Sequence, residues 1–264
     1  RLICGLPRQS KAEPKQKKTR RRGRLLYDFT SYIGDIMESV SAKIPVPLRP
    51  RAVAPPTIRE HRIPTPGSKP YIAVEGRDGC LWFCESGTSK IGRLEPKTYA
   101  FKEFDLPSAN ATPIGIVVGP EGDLWFAEKS AGKIGRITMQ GKITEFALPT
   151  PNAGPDAMML GPDGNIWFSE TEVSQISRIT PEGKVTEFKD GITPGSKPLS
   201  IVVRDGALWF SEAAGSRVGR MTMDGKVTEF PIPTAGSGPF SISPGADGNL
   251  WFPERTVDKI ARVT

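Results

Sequence analysis

The chain is almost without histidine: His61 is the single one among 264 residues. That excludes His-rich metal spacings and any catalytic pair of imidazoles. Cysteine is scarce too, with three in all. Cys80 and Cys84 fall four apart on one expected strand, roughly 13 Å from each other at ~3.3 Å per residue, too far to bridge or to share a metal. Cys4 stands alone in the N-terminal tail. An odd count without metal spacing reads as reduced thiols and a cytoplasmic setting. No apolar run approaches the ~18 residues of a membrane-spanning helix, and the N-terminus has no apolar core of signal-peptide type. A Gly-x-Ser-x-Gly elbow and a phosphate-binding glycine loop are both missing.

What the chain does have is one short stretch written five times. It reads Asp78-Gly-Cys-Leu-Trp-Phe-Cys-Glu85, Glu121-Gly-Asp-Leu-Trp-Phe-Ala-Glu128 and Asp163-Gly-Asn-Ile-Trp-Phe-Ser-Glu170, and then ends two further units as Trp209-Phe-Ser-Glu212 and Trp251-Phe-Pro-Glu254. All five tryptophans are used here, at spacings of 43, 42, 42 and 42. A period in the low forties with several short strands per unit is the pattern of a β-propeller blade. One blade cannot bury its own faces, so the units must stack around a common axis. The 28 glycines and 26 prolines suit a turn-rich all-β chain.

Charge is unevenly placed. Residues 1–56 carry 13 Lys/Arg against 4 Asp/Glu, whereas the rest of the chain is nearly balanced, so the net +7 belongs to the arm. Within the arm, no aromatic residues interleave with the basic run Lys15 to Arg24, which reads as a solvated segment rather than a nucleic-acid surface. Leu25, Leu26, Phe29, Tyr32, Ile33, Ile36, Met37 and Val40 recur at three and four, predicting an amphipathic helix over 25–42. A Pro-rich linker follows over 43–56, which gives two regions: an arm, 1–56, and a propeller, 57–264.

One unit divides into strands at Asp156–Leu160, Asn165–Glu170, Gln175–Ile179 and Lys184–Phe188, with Asp163-Gly164 supplying a tight hairpin turn. The last unit stops at its third strand, while Ile58-Arg-Glu-His-Arg-Ile-Pro-Thr65 matches Val227-Thr-Glu-Phe-Pro-Ile-Pro-Thr234. The expectation is therefore five complete blades, sealed by the first strand pairing with Ile260–Val263. A propeller of more blades, of which this chain forms part, is the alternative.

Hairpin arithmetic centred on the Asp-Gly turns pairs Tyr71 with Glu85, Ile114 with Glu128, Asp156 with Glu170, Leu199 with Glu212 and Phe240 with Glu254. Strand one of a blade lines the axis, so these pairs would ring the mouth of a funnel, where closed β architectures take ligands. The glutamates also face Lys90, Lys133, Gln175, Arg217 and Lys259 across the next hairpin, the pattern of structural cross-strand pairs. Arg93, Arg136, Arg178, Arg220 and Arg262 fall opposite the tryptophans and are placed to stack on them. One blade departs from the others: Asp156 adds a second carboxylate beside Glu170, a pair that shares a metal or raises one member's pKa. His61 falls on the outer closing strand, away from the mouth.

Through Gly161-Pro-Asp-Gly-Asn-Ile-Trp-Phe-Ser-Glu170, Lys133-Ile-Gly-Arg-Ile137 and Gly225-Lys-Val-Thr-Glu-Phe-Pro-Ile-Pro-Thr234, residues 57–264 resemble the virginiamycin B lyase (streptogramin B lyase) family. The resemblance implies a seven-bladed propeller that opens a cyclic depsipeptide antibiotic by elimination. It further implies a histidine base that takes a carbon-bound α proton, and Mg²⁺ held by acids near the enolate-like charge. The base position follows the proline that opens strand one. Here it is filled by Tyr71, Ile114, Asp156, Leu199 and Phe240, so the catalytic residue is left open, with Phe240 or Leu199 in its place. The family's strand-two acid matches Glu254, and its metal acid two residues before the base aligns with Gly238. The resulting expectations are Asp156, Glu170 and Glu254 toward a metal, and Tyr71, Asp156 and Phe240 toward a cyclic peptide ligand, in a monomer. The alternatives are a non-catalytic propeller that binds a ligand or protein at its mouth and, last, a metal-dependent lactonase-like hydrolase.

Overall fold

A computed structural model describes residues 57–264. The basic tail, the helix expected over 25–42 and the linker 43–56 lie outside the described residues. Glu60–Thr264 form one compact unit, which carries the nineteen strands found among the described residues. The first blade is β1 (Pro70–Glu75), β2 (Leu81–Glu85), β3 (Lys90–Leu94) and β4 (Phe101–Asp105). The second is β5 (Pro113–Val118), β6 (Leu124–Glu128), β7 (Lys133–Ile137) and β8 (Ile143–Ala147). The third is β9 (Pro155–Leu160), β10 (Ile166–Glu170), β11 (Gln175–Ile179) and β12 (Val185–Phe188). The fourth is β13 (Pro198–Arg204), β14 (Ala207–Glu212), β15 (Arg217–Thr222) and β16 (Val227–Pro231). The fifth is β17 (Ser243–Pro244), β18 (Leu250–Glu254) and β19 (Lys259–Val263). Every blade is an antiparallel meander in sequence order. Among the described residues no helix is long and apolar enough to cross a membrane.

The tryptophan motif explains why the blades stack. Trp82 and Ile91 of the first blade share a core with Ile116 and Phe126 of the second. The same exchange joins Trp125 to Ile166 and Phe168, Trp167 to Leu208 and Phe210, and Trp209 to Leu250 and Phe252. Each core is thus built half from one blade and half from the next. Burying side chains of this size contributes about 1.5–3 kcal/mol each, which no isolated blade could collect. Each of the first four tryptophans stacks on the outer-strand phenylalanine of its own blade, Phe104, Phe146, Phe188 or Phe230, at centroid distances of 5.4–5.6 Å. The expected arginines stand across from the tryptophans, 5.5–5.9 Å from the indoles. Two of them also cross to the following blade: Arg136 donates to the Pro181 carbonyl and Arg178 to that of Met223.

The turn chemistry holds the indoles from their other edge. Asp78, Asp163 and Asp247 each accept a hydrogen bond from the tryptophan four residues on, at 3.0–3.1 Å. The bond is not made in the second blade, where Glu121 stands at that position, nor in the fourth. Its β13–β14 hairpin closes directly on Asp205-Gly206, with φ of 51° and 67° and Arg204 paired to Ala207, a two-residue turn of the type that needs both central φ positive. The buried Trp209 Nε1 has no partner there.

The expected seal is not formed. Among the described residues the fifth blade has three strands, and residues 57–69 contain none. Strand pairing requires approach to about 4.8 Å, and this segment is held at the first blade instead. There His61 stacks on Tyr99 at 4.1 Å, and Thr65 donates through its backbone N and its hydroxyl to Glu103 at 3.1 and 2.8 Å. Substantial contact between innermost strands runs β1 to β5 to β9 to β13 to β17 and does not return to β1. As a result Trp251 is 37% and Ile260 67% exposed, whereas Trp82 and Trp167 are fully buried.

Candidate functional site

Four blades send residues from strand one, or from the stretch leading into it, to one cavity of ≈ 310 Å³, and the second blade adds Lys129 from just past its second strand. Its wall includes Tyr71, Asp156, Leu199 and Phe240, four of the five positions expected at the mouth, together with Lys129 and Ser200. The three residues expected to contact a ligand, Tyr71, Asp156 and Phe240, are therefore brought together. Ile114 is buried in the core between the second and third blades.

The pairing behind that expectation is off by one residue. The glutamates that end the second strands face Pro70, Pro113, Pro155, Pro198 and, as an isolated bridge, Pro239. In the first four blades the register shifts just after the proline, which marks a β-bulge. A bulge inserts one unpaired residue and re-aims the side chains around it. The sequence arithmetic assumed an unbroken ladder and so placed Asp156 opposite Glu170. Hydroxyls steady the bulges: Ser169 Oγ accepts from the Ala157 backbone N at 3.2 Å and donates to the Leu199 carbonyl of the next blade at 2.9 Å. Ser211 Oγ does the same for Ser200 N and the Phe240 carbonyl, at 3.2 and 2.6 Å.

Freed from Glu170, Asp156 is paired with Lys129 of the second blade, Nζ to Oδ2 at 2.6 Å. These are the charged groups on the cavity wall, set among Tyr71, Ile72, Leu199 and Phe240. Sequence reasoning missed Lys129. It follows Glu128 where the other blades have Ser86, Thr171, Ala213 and Arg255, and its signal was a cation one blade ahead of the one acidic mouth position. The guanidinium of Arg255 lies 4.8 Å from the Phe240 ring and extends the polar rim.

The five glutamates are buried, not presented to the mouth. Their cross-strand neighbours are the ones expected, Lys90, Lys133, Gln175, Arg217 and Lys259. Three of those cations are engaged elsewhere: Lys90 with Asp105 at 2.8 Å, Lys133 with Glu145 at 2.7 Å and Arg217 with Glu229 at 3.5 Å. Burial pushes Glu128 up to about 8, with the nearby Glu145 charge adding to it. Glu170 and Glu212 are pushed up to about 7, again chiefly by burial. Glu170 accepts one bond, from Gln175 Nε2 at 2.9 Å. Oxygen atoms of Glu128, Glu170 and Glu212 have no partner, which is tolerable for a carboxyl kept protonated.

Magnesium needs oxygen ligands converging in near-octahedral geometry. Among the described residues no three His, Cys, Asp or Glu side chains converge. Asp156 is committed to Lys129, while Glu170 and Glu254 are buried in separate blades. These donors do not fit a magnesium ion as a set. His61 lies off the mouth, in an apolar groove of ≈ 280 Å³ along the first blade that shares Tyr71 and Ile72 with it.

No curated protein matches the chain at a significant level. Residues 51–264 match the model of the virginiamycin B lyase family. Among solved structures, a selenomethionine-substituted virginiamycin B lyase from Staphylococcus aureus is 44% identical over 79% of this chain and 71% of its own, with a TM-score of 0.74. A catalytically inactive histidine-to-alanine variant of the Staphylococcus aureus lyase, with quinupristin, is 43% identical over 79% and 71%, also at 0.74. A streptogramin B lyase structure is 37% identical over 79% and 70%, at 0.73. With blade motif, strand order and family match in agreement, the chain belongs to the virginiamycin B lyase family.

Proposed function

We propose that the cavity shared by the five blades receives a streptogramin B-type cyclic depsipeptide, and that the family's ring-opening elimination is the activity to look for. The observation that carries this reading is the wall itself: aromatic and aliphatic side chains around the Lys129–Asp156 ion pair suit a ligand of apolar rings and backbone amides. In such an elimination a base takes a carbon-bound proton, a C=C bond forms and the ester C–O bond breaks to release a carboxylate. No water is consumed, so the product is an isomer of the substrate. Quinupristin is the probe, incubated with the protein with and without Mg²⁺ and resolved by chromatography with mass spectrometry. A ring-opened species of unchanged mass supports the lyase reading, whereas a gain of one water would indicate hydrolysis.

A second reading is favoured by one observation: no histidine lines the cavity. On this reading the propeller binds the same class of ligand, or a partner, without opening it. Calorimetry that detects quinupristin binding while the ring stays closed at high protein loading selects it. Absence of both binding and turnover removes both readings.

A further inference from the structure

We propose that Ser169 and Ser211 are positioning residues for the mouth: their buried hydroxyls tie three neighbouring blades together and set where Asp156, Leu199 and Phe240 stand toward a ligand, a role that rests on the mouth being the ligand site proposed above. The bulges create the need for such ties. In the third blade Pro155 pairs with Glu170 and Met158 with Phe168, so Asp156 and Ala157 have no ladder partners. In the fourth, Pro198 pairs with Glu212 and Ile201 with Phe210, which leaves Leu199 and Ser200 in the same state. All four of these residues lie on the cavity wall. A bulge frees residues from the ladder, and their buried backbone groups then need partners from elsewhere.

Serine supplies them. Ser169 Oγ accepts from the Ala157 N–H at 3.2 Å and donates to the Leu199 carbonyl at 2.9 Å. Ser211 Oγ accepts from the Ser200 N–H at 3.2 Å and donates to the Phe240 carbonyl at 2.6 Å. Ser200 Oγ in turn accepts from the Ile242 N–H at 3.2 Å. Hydrogen bonds thus run from the third blade through the fourth to the fifth, with Asp156, Leu199 and Phe240 alongside. Ser169 and Ser211 are fully buried, and each hydroxyl is engaged as donor and as acceptor. They act on a ligand only through the wall residues they hold.

The first two blades show the same position without this role. Cys84 and Ala127 stand where Ser169 and Ser211 stand. The Cys84 thiol lies 3.7 Å from the Gly115 carbonyl, a long contact from a weak donor, and Ala127 has no donor in its side chain. Between the second and third blades close packing takes over, since a Cβ on Gly115 would clash with the Asp156 carbonyl. Joining one blade to the next therefore does not require a hydroxyl. Among the first four blades, it is found where a blade and its successor both give the wall residues from strand one or the stretch leading into it: the third with the fourth, and the fourth with the fifth.

The test is calorimetry with quinupristin on Ser169→Ala, Ser211→Ala and, for comparison, Cys84→Ala, with a thermal melt of each. Ala127 shows that alanine is accommodated at this position, so the variants should fold. Ser169→Cys and Ser211→Cys stand in for any that does not, since Cys84 shows that a thiol is accommodated too. Both serine variants should bind about five- to tenfold more weakly, the fold-change that matches the net value of one hydrogen bond. Cys84→Ala should keep wild-type affinity, whatever its melting temperature. Serine variants of wild-type affinity overturn the proposal, and so does a Cys84→Ala variant as weak as they are, because affinity would then follow stability alone. A second readout needs no ligand: Lys129 Nζ lies 2.6 Å from Asp156 Oδ2, and displacing Asp156 exposes it. Reductive methylation of Lys129, followed by mass spectrometry, should run several-fold faster in Ser169→Ala and no faster in Cys84→Ala. If the wild-type protein does not bind quinupristin, the ligand reading falls and this rate decides the positioning role, with equal rates in all three proteins overturning it.

Discussion

The fourth and fifth blades carry nearly the same motif and reach different ends. Trp209 is covered by Phe230 and sits in a core with Leu250 and Phe252 of the next blade. Trp251 keeps its turn aspartate and its arginine but has neither outer strand nor following blade among the described residues, and stands 37% exposed there. The repeat therefore supplies half of every core, and the neighbour supplies the rest. Local chemistry is complete in the fifth blade while burial is not.

Tryptophan truncation should break this comparison most sharply. Trp167→Ala removes a fully buried indole between two blades and should cost about 3–5 kcal/mol. Trp251→Ala should cost about 1 kcal/mol, within the ordinary range for a part-exposed site. Urea unfolding measures both, and equal losses would mean that the fifth blade is as well covered as the third.

A smaller contrast lies in strand three. A Cβ on Gly135 would clash with the Phe126 ring, so Gly135→Ala should cost about 1–3 kcal/mol by overpacking. The fifth blade already has Ala261 opposite Phe252. Ala261→Gly should change stability by less than about 1 kcal/mol, and thermal melts of the two variants separate the cases.

The buried acids give the next effect, and its sign is fixed. Glu128 is raised from 4.5 to about 8 in the folded protein. An unfolded chain releases this proton near 4.5 while the folded one holds it. Stability is then full below about 4.5 and declines as pH rises to about 8, with Glu170 and Glu212 adding to the slope up to about 7. Melting temperature should therefore fall between pH 5.5 and 8.5. Glu128→Gln should flatten that slope and stabilise the protein at the alkaline end; a slope unchanged by the substitution would show that the acid is ionised in place.

The smallest effect on stability, and the most specific one on the mouth, is expected from the Lys129–Asp156 pair. Asp156→Asn should shift stability by no more than about 1 kcal/mol while weakening quinupristin binding measured by calorimetry. The matching change at the far side of the ion pair, Lys129→Met, should act on the same binding isotherm.

Periodicity made the blades legible. Five tryptophans at a fixed spacing predicted five stacked sheets, and the strand limits in the third blade came within a residue of those observed. The arginines facing the indoles were legible for the same reason: the second and third strands pair without interruption, so counting from a turn gives the register. Counting failed in strand one. Bulges after Pro70, Pro113, Pro155 and Pro198 insert a residue that composition does not reveal. That single step separated Asp156 from Glu170. Lys129 was invisible because its partner belongs to another blade. Likewise the match between Ile58–Thr65 and Val227–Thr234 was real in sequence, but similarity of strands does not say which edge is within reach.

The sequence by itself determined the unit of construction: alternation, turn glycines and the spacing of Trp, Glu and Arg act over a few residues and so are written locally. Only the tertiary structure decided what faces the axis and what is covered. Those outcomes depend on a one-residue bulge beside a proline and on which side chains the adjacent blade brings to the shared core, and neither is a property of any stretch read alone.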